Sequence, residues 1–309
     1  MQYPAVHAQN LTKHYTRVRA VDGLNLRVPQ GAVYGFLGRN GAGKTTTIKM
    51  LMGLTRPTGG TVRVLGGEWQ KDRLAILRRV AFVDESKLLY GSLTAIQLMA
   101  FNRSFYHTWS DDAAKRYAAL LEVPLDQPLR KLSQGNRTKV ALLLALAQGA
   151  ELLVLDEPTT GLDPVSVAAL LNILADQNRS EGRSIFFSSH QLSEVEQIAG
   201  WVGIVNDGKL LIEAPSERIR EDFRLVEAVV SAGPDPPQGA EVISASRTDN
   251  RWRFVVGRHA DRFAEQLRSA GASVEVSSLD LRELFLELVG KRQEQCTRGN
   301  AGSTPARVL

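Results

Sequence analysis

Short, solidly apolar runs recur along this chain, separated by longer stretches of helical periodicity. Such runs read as strands buried on both faces of a parallel sheet, and their alternation with helices predicts an α/β fold. The clearest are Val33-Tyr34-Gly35-Phe36-Leu37, Leu152-Leu153-Val154-Leu155 and Ile185-Phe186-Phe187. Earlier β-type runs, Val6-His7-Ala8 and Leu24-Asn25-Leu26-Arg27-Val28, precede them. Residues 92–150 are predicted to be mostly helical, including 111–121 and the apolar core helix Val140-Ala141-Leu142-Leu143-Leu144-Ala145-Leu146-Ala147. Val202-Gly203-Ile204-Val205 and Leu210-Leu211-Ile212 flank Asn206-Asp207-Gly208, the signature of a hairpin.

Pro215 is expected to close a first domain, residues 1–215. A second, α+β unit is predicted over 216–290. It has strands near 225–231, 241–246, 252–256 and 273–276, helices over 260–270 and 279–289, and a breaker-rich loop, Gly233-Pro234-Asp235-Pro236-Pro237. Residues 291–309 are polar and aperiodic and read as a disordered tail.

The first chemistry lies directly after the apolar run at 33–37. Gly38-Arg39-Asn40-Gly41-Ala42-Gly43-Lys44-Thr45-Thr46 leads into Thr47-Ile48-Lys49-Met50-Leu51-Met52, which reads as a helix. Strand, glycine loop, Lys-Thr and helix make a P-loop. Glycines let backbone N–H groups converge on a phosphate, and the helix N-terminus adds partial positive charge. Lys44 is expected to reach the β- and γ-phosphates and the Thr45 hydroxyl to ligand Mg²⁺.

A second element follows the run at 152–155, which ends in Asp156-Glu157-Pro158. Carboxylates at the C-terminal end of a parallel strand sit where α/β sheets bind ligands. Asp156 suits the magnesium, and Glu157 suits polarisation of a water that attacks the γ-phosphate.

Together these residues resemble the ATP-binding-cassette (ABC) ATPases, with motifs in that family's order from Val6 to about Glu213. The resemblance implies an ABC cassette with a mixed sheet core, and a helical subdomain (about residues 86–150) that faces a membrane subunit. It places Tyr15 in the slot of the aromatic that stacks on adenine. Leu132-Ser133-Gln134-Gly135-Asn136 resembles the signature LSGGQ, whose Ser133 and Gly135 positions bind the γ-phosphate of ATP held by a partner subunit. Gly161-Leu162-Asp163 resembles the D-loop, and His190 the switch histidine at the γ-phosphate. Three departures stand out. Gln134 and Asn136 replace two signature residues, and Arg39 replaces a common proline. Glu85, in Phe82-Val83-Asp84-Glu85, replaces a glutamine, and as a carboxylate it is expected to hold Mg²⁺ more strongly. The C-terminal unit, through its closing residues 278–285, resembles the accessory domains of bacterial drug- and antibiotic-export ATPases.

Composition alters this picture little. The chain has 309 residues, 43% hydrophobic and 23% charged, with a net charge of +5, ordinary for a globular protein of two domains. No apolar run approaches the roughly 18 residues of a membrane span. The single Cys296 excludes an internal disulfide framework, and Met1-Gln2-Tyr3-Pro4 has no secretory pattern, so a site at the cytoplasmic face of the membrane is expected. Phe101, Phe105, Tyr106 and Trp109 recur at about one helical turn and are expected in the helical subdomain's core.

The resulting expectation is the ATP-hydrolysing subunit of an exporter. It is driven by Mg²⁺ and ATP, pairs head to tail with a second copy or a paralogue, and acts on a separately encoded permease. The alternative is an ABC ATPase acting on nucleic acid or ribosomes. One cassette without a heptad array favours transport, and no nucleic-acid partner is expected.

Overall fold

The computed structural model describes residues 3–87, 89–229 and 242–290. Its contacts divide the chain into two compact units, Met1–Leu210 and Leu211–Leu309.

In the first unit the chain begins with β1 (Val6–Tyr15) and β2 (Val18–Val28), an antiparallel hairpin in which Tyr15 faces Val18 across the turn. These strands are longer than the short runs seen in the sequence, because polar residues interrupt their buried apolar positions. Next come β3 (Val33–Leu37), α1 (Lys44–Leu51), β4 (Gly59–Val64), α2 (Trp69–Arg79) and β5 (Val80–Val83). The helical segment holds α3 (Ala95–Arg103), α4 (Asp111–Leu120) and α5 (Gln134–Ala147). The chain continues through β6 (Leu152–Leu155), α6 (Pro164–Glu181), β7 (Ser184–Ser189), α7 (Leu192–Ile198) and β8 (Trp201–Asn206). β9 (Lys209–Pro215) carries the boundary between the units.

One sheet runs in the order β5-β6-β7-β3-β8-β9, with β5/β6, β6/β7, β7/β3 and β3/β8 parallel. β3, β6 and β7 are buried at every position, as strands covered on both faces must be. Their C-terminal ends align, since Leu37 pairs with Ser189 and Leu155 with Phe187. The loops that follow those ends therefore open on the same edge. A second sheet, β2-β1-β4, is antiparallel and contributes Leu11, Leu24, Leu26 and Val64 to the core shared with Tyr34, Phe36 and Phe186. Phe186 stacks on Tyr34 and tilts against Phe36, each with centroids 5.4 Å apart.

The second unit, taken by itself, contains α8 (Ile219–Asp222), β10 (Arg224–Val229), β11 (Val242–Thr248), β12 (Arg251–Val256), α9 (Ala260–Ser269), β13 (Ser273–Ser278) and α10 (Leu281–Val289). Its antiparallel sheet has the order β11-β12-β10-β13. Phe254, Phe263, Ala264 and Leu267 pack α9 on this sheet. Asp280 and Glu283 form a reciprocal capping box that starts α10, which sets the first helical residue two positions later than the sequence expectation. The Pro-rich loop at 233–237 and the tail at 291–309 lie outside the described residues.

One expectation fails. Phe101 and Phe105 are not core: they are 48% and 60% exposed and tilt against each other at 4.9 Å, with Tyr90 edge-on to Phe101. Helical spacing puts residues on one face but does not say whether that face is covered. Here α3 turns Leu98 inward and leaves Phe101 outside, while Phe105 lies past the helix's end at Arg103.

Candidate functional site

The P-loop closes tightly because two of its glycines, Gly38 and Gly43, meet backbone. Gly43 has φ 101, and a Cβ there would lie 2.5 Å from Ala20 O on β2. Gly41 also takes a positive φ, of 82, whereas Gly38 is wedged against Val205. No residue with a side chain fits at 43. Ala42 O accepts from Gly208 N at 3.0 Å, and Asp22 N donates to Gly208 O at 2.9 Å, so the loop is tied to the hairpin between β8 and β9. Arg39, Asn40 and Gly41 remain exposed at the loop's crest, while Thr45 and Thr46 are partly buried at the start of α1. Gly43 caps α1 without a side chain, which leaves the first N–H groups of the helix open to an anion.

Lys44 is buried, and its ammonium donates to Gly38 O at 2.8 Å and Arg39 O at 3.2 Å. It also pairs with Glu157 Oε1 at 3.1 Å. The other oxygen of Glu157, Oε2, lies 2.8 Å from His190 Nδ1. Glu157 thus sits between Lys44 and His190. Both carboxylate positions come from the end of β6, and His190 from the end of neighbouring β7. Glu157 holds φ 47, a left-handed conformation uncommon for residues other than glycine.

Ser188 was given no role from the sequence, yet it organises both acids. Its hydroxyl donates to Asp156 Oδ1 at 2.7 Å and accepts from Glu157 N at 2.9 Å. The serine pair Ser188-Ser189, following the apolar run 185–187 and preceding His190, was the available signal. Asp156 is fully buried, and burial pushes its carboxyl above the usual range. Hydrogen bonds from Ser188 and Thr45 oppose that shift, while the charges of Glu85 and Glu157 add to it. Its Oδ2 has no well-formed hydrogen-bond partner. Thr45 Oγ1 donates to Glu85 Oε2 at 3.1 Å. A buried carboxylate oxygen without a partner, a hydroxyl and a second carboxylate suit a hard divalent cation that takes its other ligands from phosphate and water. Among the described residues, no cluster of three or more His, Cys, Asp or Glu side chains is placed to hold a metal ion.

A second locus gathers the signature and D-loop. Ser133 caps α5, its hydroxyl accepting from Asn136 N at 3.2 Å, so only the backbone of Asn136 is used there. A Cβ on Gly135 would lie 2.5 Å from Gly161 O. Asp163 caps α6 through Ser166, whose hydroxyl and backbone N–H hold its carboxyl down at about 2, and Lys139 Nζ stands 3.9 Å away. Among the described residues, no hydrogen bond or ion pair joins Ser133, Gly135 or Asp163 to the P-loop. Tyr15 is 46% exposed with Lys13 Nζ 5.1 Å above its ring, leaving the ring accessible to a base.

The sequence profile of the ABC transporter family matches residues 21–160. Beyond that profile, the chain is 38% identical to the bacitracin transport ATP-binding protein BcrA of Bacillus licheniformis over 71% of this chain and 72% of that protein. The chain belongs to the ABC transporter ATP-binding family. This cassette is also 34% identical to the daunorubicin/doxorubicin resistance ATP-binding protein DrrA of Streptomyces peucetius, over 93% of this chain and 92% of the relative. Among solved structures it matches an ATP-binding subunit of an ABC transporter with a TM-score of 0.63 and 26% identity, over 70% of this chain and 92% of that one. It has the same fold as a dimeric cassette in a post-hydrolysis state bound to ADP and Pi, with a TM-score of 0.62 and 23% identity. The cassette is an ABC ATPase and binds ATP.

Another residue that sequence reading missed is Lys87. It is only 7% exposed, takes φ 46, and its ammonium donates to Glu157 O at 2.9 Å. Burial pulls the ammonium's pKa down, against the charges of Glu85, Asp156, Glu157 and Asp84. Nearby, Leu54, Phe82, Tyr90, Phe101, Tyr106 and Leu144 line a groove of about 630 Å³ that reaches Asp84 and Lys87.

Proposed function

We propose that this cassette powers export by hydrolysing ATP between two head-to-tail copies, or between itself and a paralogue, attached to a separate membrane partner at its cytoplasmic face. The observation that carries the reading is the convergence of Lys44, Glu157 and His190 within hydrogen-bonding distance at the mouth of the P-loop. Thr45, Asp156 and Glu85 would hold Mg²⁺, which would supply neutralising charge to the phosphates. Glu157 takes a proton from the attacking water. His190 fixes the base and reaches the γ-phosphate, and Lys44 binds the phosphate oxygens. Tyr15 stacks on adenine. Ser133, Gly135 and Asp163 serve the nucleotide held by the opposite cassette. The named relatives in transport and drug resistance support the exporter assignment.

The groove beside Phe101 and Tyr90 is the seat we assign to a segment of the membrane partner. Its exposed aromatic rim stands next to the Asp84–Glu85 segment that touches Thr45, so occupancy there adjoins the metal site. Glu85→Gln retains hydrolysis but requires about tenfold more Mg²⁺, whereas Glu85→Ala loses both metal affinity and partner coupling. ATPase rate against free Mg²⁺, with the partner reconstituted, separates these outcomes. Superimposable curves for the three proteins would reduce Glu85 to a surface acid.

Residues 216–290 are read as an accessory domain that regulates or dimerises rather than catalyses. They contain none of the converging groups, and the alignment with the daunorubicin-resistance relative extends through them. A chain truncated after Ala214 is expected to keep its nucleotide affinity. A folded truncation unable to bind ATP would move that boundary.

A further inference from the structure

We propose that Lys87 is a positioning residue for ATP hydrolysis, holding the backbone of Glu157 in place and linking the partner groove to the base. The turn at residues 84–87 builds this arrangement locally. Asp84 accepts from Ser86 N at 2.7 Å through its side chain and from Lys87 N at 3.1 Å through its carbonyl. The turn leaves Lys87 left-handed, with its side chain sent inward to the end of β6.

Two observations give that contact a purpose beyond packing. The residue it holds, Glu157, is itself left-handed, a conformation that persists only where the surroundings enforce it. Ser188 fixes the N–H of Glu157 and Lys87 fixes its C=O, so the backbone of the base is clamped from both sides. A charge-assisted bond from a buried ammonium is among the stronger ways to hold a carbonyl. Lys87 also lines the groove assigned to the membrane partner and a second hollow bordered by Arg130, Gln134 and Arg137. It is therefore a single side chain that touches the groove and the base together. A segment entering the groove displaces or tightens the turn at 84–87, and the Glu157 carbonyl moves with it. This coupling rests on the groove reading above; the clamp on Glu157 does not.

The test uses the purified full chain. Lys87→Met is expected to lower kcat by about 10- to 100-fold while the KM and Kd for ATP stay near wild type, because the phosphate cradle is intact and only the base is misplaced. Lys87→Arg restores part of the rate. Wild-type kcat in Lys87→Met would overturn the proposal. So would joint loss of ATP binding and melting temperature in both variants, since that marks a merely structural lysine. With the membrane partner reconstituted, the stimulated-to-basal ratio is expected to collapse in Lys87→Met. Phe101→Glu serves as the parallel arm. If it leaves wild-type stimulation, the groove reading fails, while the partner-free kcat still decides the role of Lys87.

Discussion

Lys44→Ala abolishes measurable ATP hydrolysis, with kcat/KM falling by about a thousandfold or more, the scale expected when a preorganised charge is removed from a transferring phosphoryl group. The ammonium is buried and shared between two loop carbonyls and Glu157, so its loss strips all three of a charged partner. The same change leaves a buried carboxylate without its lysine, which costs stability of about 3 kcal/mol. A melting curve beside the phosphate-release assay separates the two effects. Wild-type turnover in a folded variant would remove the basis for placing the reaction at this loop.

Glu157→Gln produces the opposite combination, tight nucleotide binding with little turnover. The amide keeps the shape of the side chain but cannot take a proton from water, so kcat drops by about 10²- to 10⁴-fold. The ion pair with Lys44 is lost at the same time, which frees the lysine for phosphate. With hydrolysis blocked, cassettes paired by ATP persist and elute as a dimer in Mg-ATP. Elution as a monomer with nucleotide demonstrably bound, in the presence of the membrane partner, would count against a site shared between two chains.

Much of the candidate site was legible in the sequence because its parts obey local rules. The P-loop needs glycines at fixed steps between a strand and a helix, and Gly43 is confined by Ala20 O in a way that admits nothing larger. Asp156 and Glu157 are marked by the buried run that precedes them, and His190 by the strand beside it. Ser188 and Lys87 were harder to see. Their roles depend on β7 lying against β6 and on a turn that sends a lysine inward, and neither contact leaves a periodic trace in the chain. The aromatic residues at 101 and 105 were misread for the opposite reason. Their spacing matches a helical turn, but α3 ends at Arg103, and exposure is decided by what other elements leave uncovered.

The contact between Gly135 and Gly161 alters what a glycine in the signature can testify to. With Gly161 O where a methyl would stand, position 135 must lack a side chain even if no phosphate ever approaches it. Its glycine is thus a record of the neighbouring loop, and a chain that had lost its trans-acting contact would still display it. Ser133 is the more informative witness. Capping α5 uses its oxygen only as an acceptor, so the hydroxyl proton is still unspent and available to an oxyanion arriving from another molecule.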